Sequence, residues 1–111
     1  MLTNSAPIAT NTVLANLTEI TPQNGYSAGG GAATSNAYSQ TSGTAKLTAN
    51  NVVFTASGGS FGPFRYAVLY NSTAGSGPLI GFWDYGSSIS ISSGNTFTVT
   101  FDPTNGILTI T

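Results

Sequence analysis

Charge is the scarcest commodity in this sequence. Three acids and two bases make up 5% of its 111 residues, against about 25% in an ordinary soluble domain. Cysteine and histidine are absent altogether. Disulfides are therefore excluded, and with them any reading of redox compartment. Thiol and imidazole catalysis are excluded too, as are metal sites built on Cys or His. Lys46 and Arg65 are the only cations, so there is no basic footprint for nucleic acid. No run approaches the roughly 18 apolar residues of a membrane helix. The first residues, Met1-Leu2-Thr3-Asn4-Ser5-Ala6-Pro7, carry neither the basic nor the apolar part of a secretory leader. The expectation is a protein made in the cytoplasm without a signal peptide, with no membrane partner.

What is present is small and polar. Gly, Ser, Thr and Asn supply about half the chain, against an apolar content of 40%. This length suits one domain with a single modest core. Ordering such a chain costs on the order of 100 kcal/mol in conformational entropy. Its apolar side chains must be used efficiently or shared with a partner. A net charge of −1 puts little repulsion between copies, a poor safeguard for a free monomer but no handicap inside an assembly.

Residues 1–12 read as an extended, polar N-terminal arm containing Pro7, with Leu2 and Ile8 available to dock into a neighbouring subunit. The rest, 13–111, reads as one β-domain. Residues 13–20 favour a strand because Thr and Asn interleave with Val13, Leu17 and Ile20. Asn24-Gly25 supplies turn chemistry. The Gly-rich stretch 27–43 is too long for a structureless loop and is expected to hide a strand near residues 37–41; its glycine-rich tip is a candidate interacting loop. Short strands are expected over 44–48 and 52–56, and long ones over 64–70 and 79–85. Ile89 and Ile91, then Phe97, Val99 and Phe101, then Leu108 and Ile110, alternate with polar residues. This is the period-two signal of half-buried strands. With no convincing helix, the pattern predicts an all-β fold: an antiparallel β-sandwich, jelly-roll-like, with an extended N-terminal arm.

Matching apolar faces gives a register. Val99 faces Leu108 and Phe97 faces Ile110, with Asp102-Pro103-Thr104-Asn105 as the turn; Ile91 then faces Phe97 and Ile89 faces Val99. In the central hairpin Tyr70 faces Leu79. One side then carries Phe64, Tyr66, Val68, Tyr70, Leu79, Trp83 and Tyr85, and the other Ala67, Leu69, Ile80 and Phe82, with Arg65 directly opposite Asp84. Antiparallel sheets usually show one polar face to water. Two apolar faces imply that one covers the domain's own core and the second is covered either by the chain's own loops or by another molecule. Leu69, Ile80 and Phe82, with Leu2 and Ile8 of the arm, are the candidate interface with a neighbouring molecule.

Chemistry is hard to build from the remainder. Glu19, Asp84 and Asp102 are the only carboxylates; Asp84 is expected in a semi-buried, register-fixing ion pair with Arg65, and Asp102 in an Asp-Pro turn. The many hydroxyls have no histidine to activate them. Lys46 reads as an edge-strand charge. Gly29-Gly30-Gly31 lacks the lysine and helix of a phosphate loop. The reading is a non-enzyme with no catalytic residues, no metal site and no cofactor. Tyr66, Tyr70, Trp83 and Tyr85 offer the one alternative, an aromatic platform for sugar rings.

Two segments carry a resemblance. Gly62-Pro63-Phe64-Arg65-Tyr66-Ala67-Val68-Leu69-Tyr70-Asn71 and Leu79-Ile80-Gly81-Phe82-Trp83-Asp84-Tyr85-Gly86-Ser87-Ser88 resemble small structural proteins of tailed bacteriophages. Phe97-Thr98-Val99-Thr100-Phe101-Asp102 followed by Gly106-Ile107-Leu108, and Thr18-Glu19-Ile20 with Asn24-Gly25-Tyr26, fit the same pattern. The proteins they resemble look like head-associated proteins of the decoration or cement kind. The resemblance implies a β-sandwich homo-oligomer, typically a homotrimer, bound to the major capsid protein on the phage head surface. It implies no active site. A carbohydrate- or receptor-binding module of a tail or head fibre is the alternative.

Overall fold

The computed structural model describes residues 1–110. Its regular structure is nearly all strand: β1 (Leu2–Thr3), a 3-10 turn (Leu14–Asn16), β2 (Ala37–Thr41), β3 (Thr44–Thr48), β4 (Val52–Thr55), β5 (Phe61–Tyr70), β6 (Leu79–Ile91), β7 (Thr96–Val99) and β8 (Leu108–Ile110). The sheets are β1-β5-β6, β2-β3-β8 and the pair β4-β7, and the strand pairings that define the two larger sheets are antiparallel. The chain is all-β, and strands arise at 37–41, within the Gly-rich stretch too long for a structureless loop, and at 44–48. It divides into two compact units: Met1–Gly30 with Thr55–Thr96, and Gly31–Phe54 with residue 97 onward.

The first unit is organised around β5. Phe61 and Phe64 are almost wholly buried. Their rings stack at 6.0 Å, and Tyr26 packs on Phe61 at 5.8 Å. Offset aromatic contacts of this kind add to the area each ring buries. Tyr26 is placed by a tight turn in which Asn24 and Gly25 take φ of 50° and 99° and the Tyr26 N–H reaches the Gln23 carbonyl at 2.9 Å. That is the primed turn for which Asn-Gly is preferred. A side chain at position 25 would collide with the Thr55 carbonyl, so glycine is required twice over.

Residues 1–3 are not a free arm. Leu2 and Thr3 pair with Ala67 and Tyr66 of β5, and both are fully buried. Met1 adds a reciprocal backbone pair with Val68, and burial pushes its amino group below the ordinary value. Leu2 is thus a core residue of its own chain, which removes it from the candidate interface. The strand expected at 13–20 is instead a 3-10 turn. The Asn16 side chain accepts the N–H groups of Thr12 and Val13, a local bond that competes with strand pairing.

Three registers also differ from expectation. Ile91 and Ile89 lie opposite Phe61 and Phe64, not opposite Phe97 and Val99: the hairpin continues through Gly86-Ser87-Ser88 into a 13-residue β6. β8 pairs with β3, placing Leu108 opposite Leu47 and Ile110 opposite Ala45, rather than folding back on β7. The Asp102 turn forms, with its carboxylate accepting the N–H groups of Thr104 and Asn105. It delivers the chain to β3, where Ile107 N–H bonds the Leu47 carbonyl. Finally, a bulge between Leu69 and Tyr70 slips the central hairpin by one residue after the expected Tyr70–Leu79 pair.

Candidate functional site: the β6 edge

That bulge decides which side chains share a face. Beyond it Leu69 lies opposite Gly81, Val68 opposite Phe82, Ala67 opposite Trp83 and Tyr66 opposite Asp84. A one-residue slip exchanges the faces of every side chain past it. Phe82 therefore joins Val68 and Tyr66, while Trp83 joins Ala67, the reverse of the sequence-based assignment. The Tyr66 and Phe82 rings meet edge-to-face at 6.1 Å.

β6 ends its sheet. Its exposure is high along most of its length: Ile80, Phe82, Trp83 and Tyr85 are 48%, 49%, 40% and 58% exposed. Which backbone groups face outward follows from the pairing alternation. Val68 exchanges its N–H and C=O with Met1 on the β1 side. Val68 is therefore not hydrogen-bonded to its β6 partner, and in an antiparallel ladder the hydrogen-bonded and non-bonded pairs alternate. Phe82 and Asp84 accordingly turn their N–H and C=O groups away from β5. At the near end the same outer side is already occupied, since Leu79 N–H bonds the Thr12 carbonyl at 3.0 Å.

Beside this edge lies an apolar groove of about 460 Å³, lined by Ile8, Val68, Leu79, Ile80 and Phe82 together with Pro7, Ala9, Asn11 and Gly81. Three of the five expected interface residues, Ile8, Ile80 and Phe82, thus converge on one feature. Leu69 is half-buried and lies outside it. No lining side chain is charged. The two charges of the β5–β6 hairpin neutralise each other: Arg65 of β5 donates to Asp84 of β6 through Nε at 2.7 Å and Nη2 at 2.9 Å. The pair is not semi-buried, with side chains 38% and 39% exposed, and Arg65 is not directly across from Asp84. Those bonds, with a further one from Gly86 N–H, hold the Asp84 carboxyl below its ordinary value. The same partner raises Arg65.

The four aromatics expected as a platform do not all share one face. Tyr66 packs on Phe82, and Tyr70 donates its hydroxyl hydrogen to the Gly29 carbonyl at 2.8 Å. Trp83 stands on the opposite face from Tyr66, and Tyr85 lies exposed beyond Asp84. The other carboxylates have structural partners. Glu19 Oε1 accepts from Tyr26 at 2.8 Å and from Gly29 N–H at 2.7 Å, while Tyr26 Oη accepts the Leu2 N–H at 2.8 Å. Burial is the main cause that pushes the Tyr26 phenol well above its ordinary range. Asp102 is lowered by its bonds from Asn105 and Thr104. The Glu19–Tyr26–Leu2 chain has no sequence signature, because nothing in the spacing of these residues announces that they meet. The Gly29–Gly30 segment, expected as a free loop tip, is held by this network. Among the described residues no three acidic side chains gather to hold a metal, and no helix is long and apolar enough to cross a membrane.

Comparison with known proteins finds no match: no family model, no curated protein and no solved structure matches the chain.

Proposed function

We propose that this chain is a non-enzymatic structural protein of a phage virion, a decoration or cement subunit that binds the outside of the head lattice as a homotrimer. The observation that carries the reading is the β6 edge: a long strand at the end of its sheet whose first half exposes Ile80, Phe82, Trp83 and Tyr85, beside an uncharged groove. An exposed hydrophobic edge of this length is a liability unless another chain covers it. A low net charge lets like copies approach without repulsion. The carboxylates are engaged in ion pairing, turn formation and anchoring of β1, which suits a passive scaffold. A sandwich of the jelly-roll kind, residence on the head surface and contact with the major capsid protein belong to the same proposal and rest on the sequence resemblance. Each copy need add only a few kcal/mol, since many act together.

The test has two parts. The mass of the purified protein in solution is expected to be three times that of the chain. Added to undecorated heads of the phage that encodes it, the protein is expected to bind in fixed stoichiometry and raise their melting temperature. A monomer that leaves heads unchanged overturns the proposal. The carbohydrate-binding alternative draws on the exposed rings of Trp83 and Tyr85 alone; Trp83→Ala with an intact fold and lost adsorption to host cells would favour it.

A further inference from the structure

The geometry points to a specific contact between copies: the outer edge of β6 in one copy takes up β2 of the next as an added antiparallel strand, with Tyr38 seated in the groove beside Ile8, Ile80 and Phe82. This deepens the homo-oligomer reading above and rests on it.

Strand addition needs an unpaired backbone edge for affinity and side-chain pockets for selectivity. β6 supplies both within a short span: the outward N–H and C=O groups of Phe82 and Asp84, and the apolar groove that Ile80 and Phe82 line. Position 81 is glycine, with nothing near the place a Cβ would occupy, so an incoming backbone meets no bulk there. Two of the usual edge defences are missing, since Leu79–Trp83 contains no lysine and no proline, and the bulge at Ile80 lies on the near side of the outward groups of Phe82 and Asp84.

The occupant must be uncharged, because the groove offers no charged partner and the nearby Asp84 is already satisfied by Arg65. It must also be an available strand. β2 meets both demands; β4 and β7 are uncharged edge strands as well, but their phenylalanines are buried or half-buried, so β2 is the one with an exposed ring to offer. It ends the sheet of the second unit, its sequence Ala-Tyr-Ser-Gln-Thr carries no charge, and all five residues are exposed. Tyr38 is 69% exposed, the highest value among the exposed large apolar residues. A groove of about 460 Å³ falls within the range of clefts that bury whole small molecules, ample for one aromatic side chain. Because donor strand and acceptor edge differ, the contact is head-to-tail, and such contacts close into rings when the rotation allows.

The experiment exploits the absence of cysteine. Wild-type mass is measured first. Tyr38→Cys and Phe82→Cys are then made singly, mixed, and treated with a short thiol–thiol cross-linker. The expected result is a covalent dimer from the mixture and none from either variant alone. Ile80→Lys, with strand content checked by circular dichroism, is expected to dissociate the oligomer. A monomeric wild type at high concentration overturns both this contact and the homo-oligomer reading. A stable oligomer without the mixed cross-link, or one that cross-links through Phe82→Cys alone as a symmetric β6–β6 pairing would, overturns this contact only.

Discussion

Arg65 grips Asp84 diagonally across the β5–β6 hairpin, with Tyr66 rather than Arg65 directly opposite the carboxylate. The Arg65 guanidinium also lies 5.4 Å from the centre of the Tyr66 ring. The pair therefore spans a rung of the ladder instead of sitting on one, and solvent reaches both ends. Exposed ion pairs stabilise little, since water screens the attraction and two long side chains must be held in place. Asp84→Ala is expected to lower the melting temperature by less than about 5 °C. Differential scanning calorimetry at low and high salt checks this, the loss being smaller in high salt.

Acid should weaken the fold in a defined window. The Asp84 and Asp102 carboxyls are lowered by the hydrogen bonds they accept, so their contribution is complete above the unfolded value of about 4. It disappears as pH falls through the lower folded values, because the unfolded chain then binds more protons. Melting temperature is expected to be flat from pH 7 to about 5 and to fall below about 4. Asp102→Asn should shallow that fall. A profile unchanged in the variant would dissociate Asp102 from it.

Tyr26 links three parts of the first unit through one oxygen, accepting from Leu2 N–H and donating to Glu19. Tyr26→Phe keeps the ring against Phe61 but strands a buried N–H. Leaving such a donor unsatisfied costs about 1–3 kcal/mol. Urea denaturation should show a lower midpoint with an unchanged slope, the mark of a stability change without a change in the surface exposed.

Much of the strand pattern was legible in the residue alternation, because period-two spacing records which side chains are covered. Strand partners were not. Leu108 and Ile110 fit the face of Phe97 and Val99 as well as they fit that of Leu47 and Ala45, so matching faces alone could not choose between β7 and β3. The choice is made by Ile107 bonding Leu47, a contact between residues 60 positions apart. The bulge that trades Phe82 for Trp83 across the sheet inserts Ile80 between the Leu79 and Gly81 rungs; Gly81 stands beside it, but a glycine inside a strand does not by itself announce a slip of register. Ile8, Ile80 and Phe82 could be picked as a group because exposed apolar side chains in a charge-poor chain need covering. The groove that unites them depends on where residues 7–11 run, and polar loop sequence does not encode that.

The N-terminal strand gives the sharpest separation between an arm and a core element. A mobile arm would tolerate truncation of Leu2 without loss, whereas a fully buried leucine leaves a cavity when cut back. Leu2→Ala is expected to destabilise the chain by about 2–5 kcal/mol. The effect should reach beyond position 2, because β1 covers the edge of β5 opposite β6 and its Leu2 N–H holds Tyr26 in place. Hydrogen exchange in the variant should therefore accelerate at Tyr66 and Val68, whose backbone groups pair with β1 and Met1. Ala67, which turns toward β6, should be less affected. Acceleration spread evenly over β5 would mean that the strand opens as one unit rather than from its β1 edge.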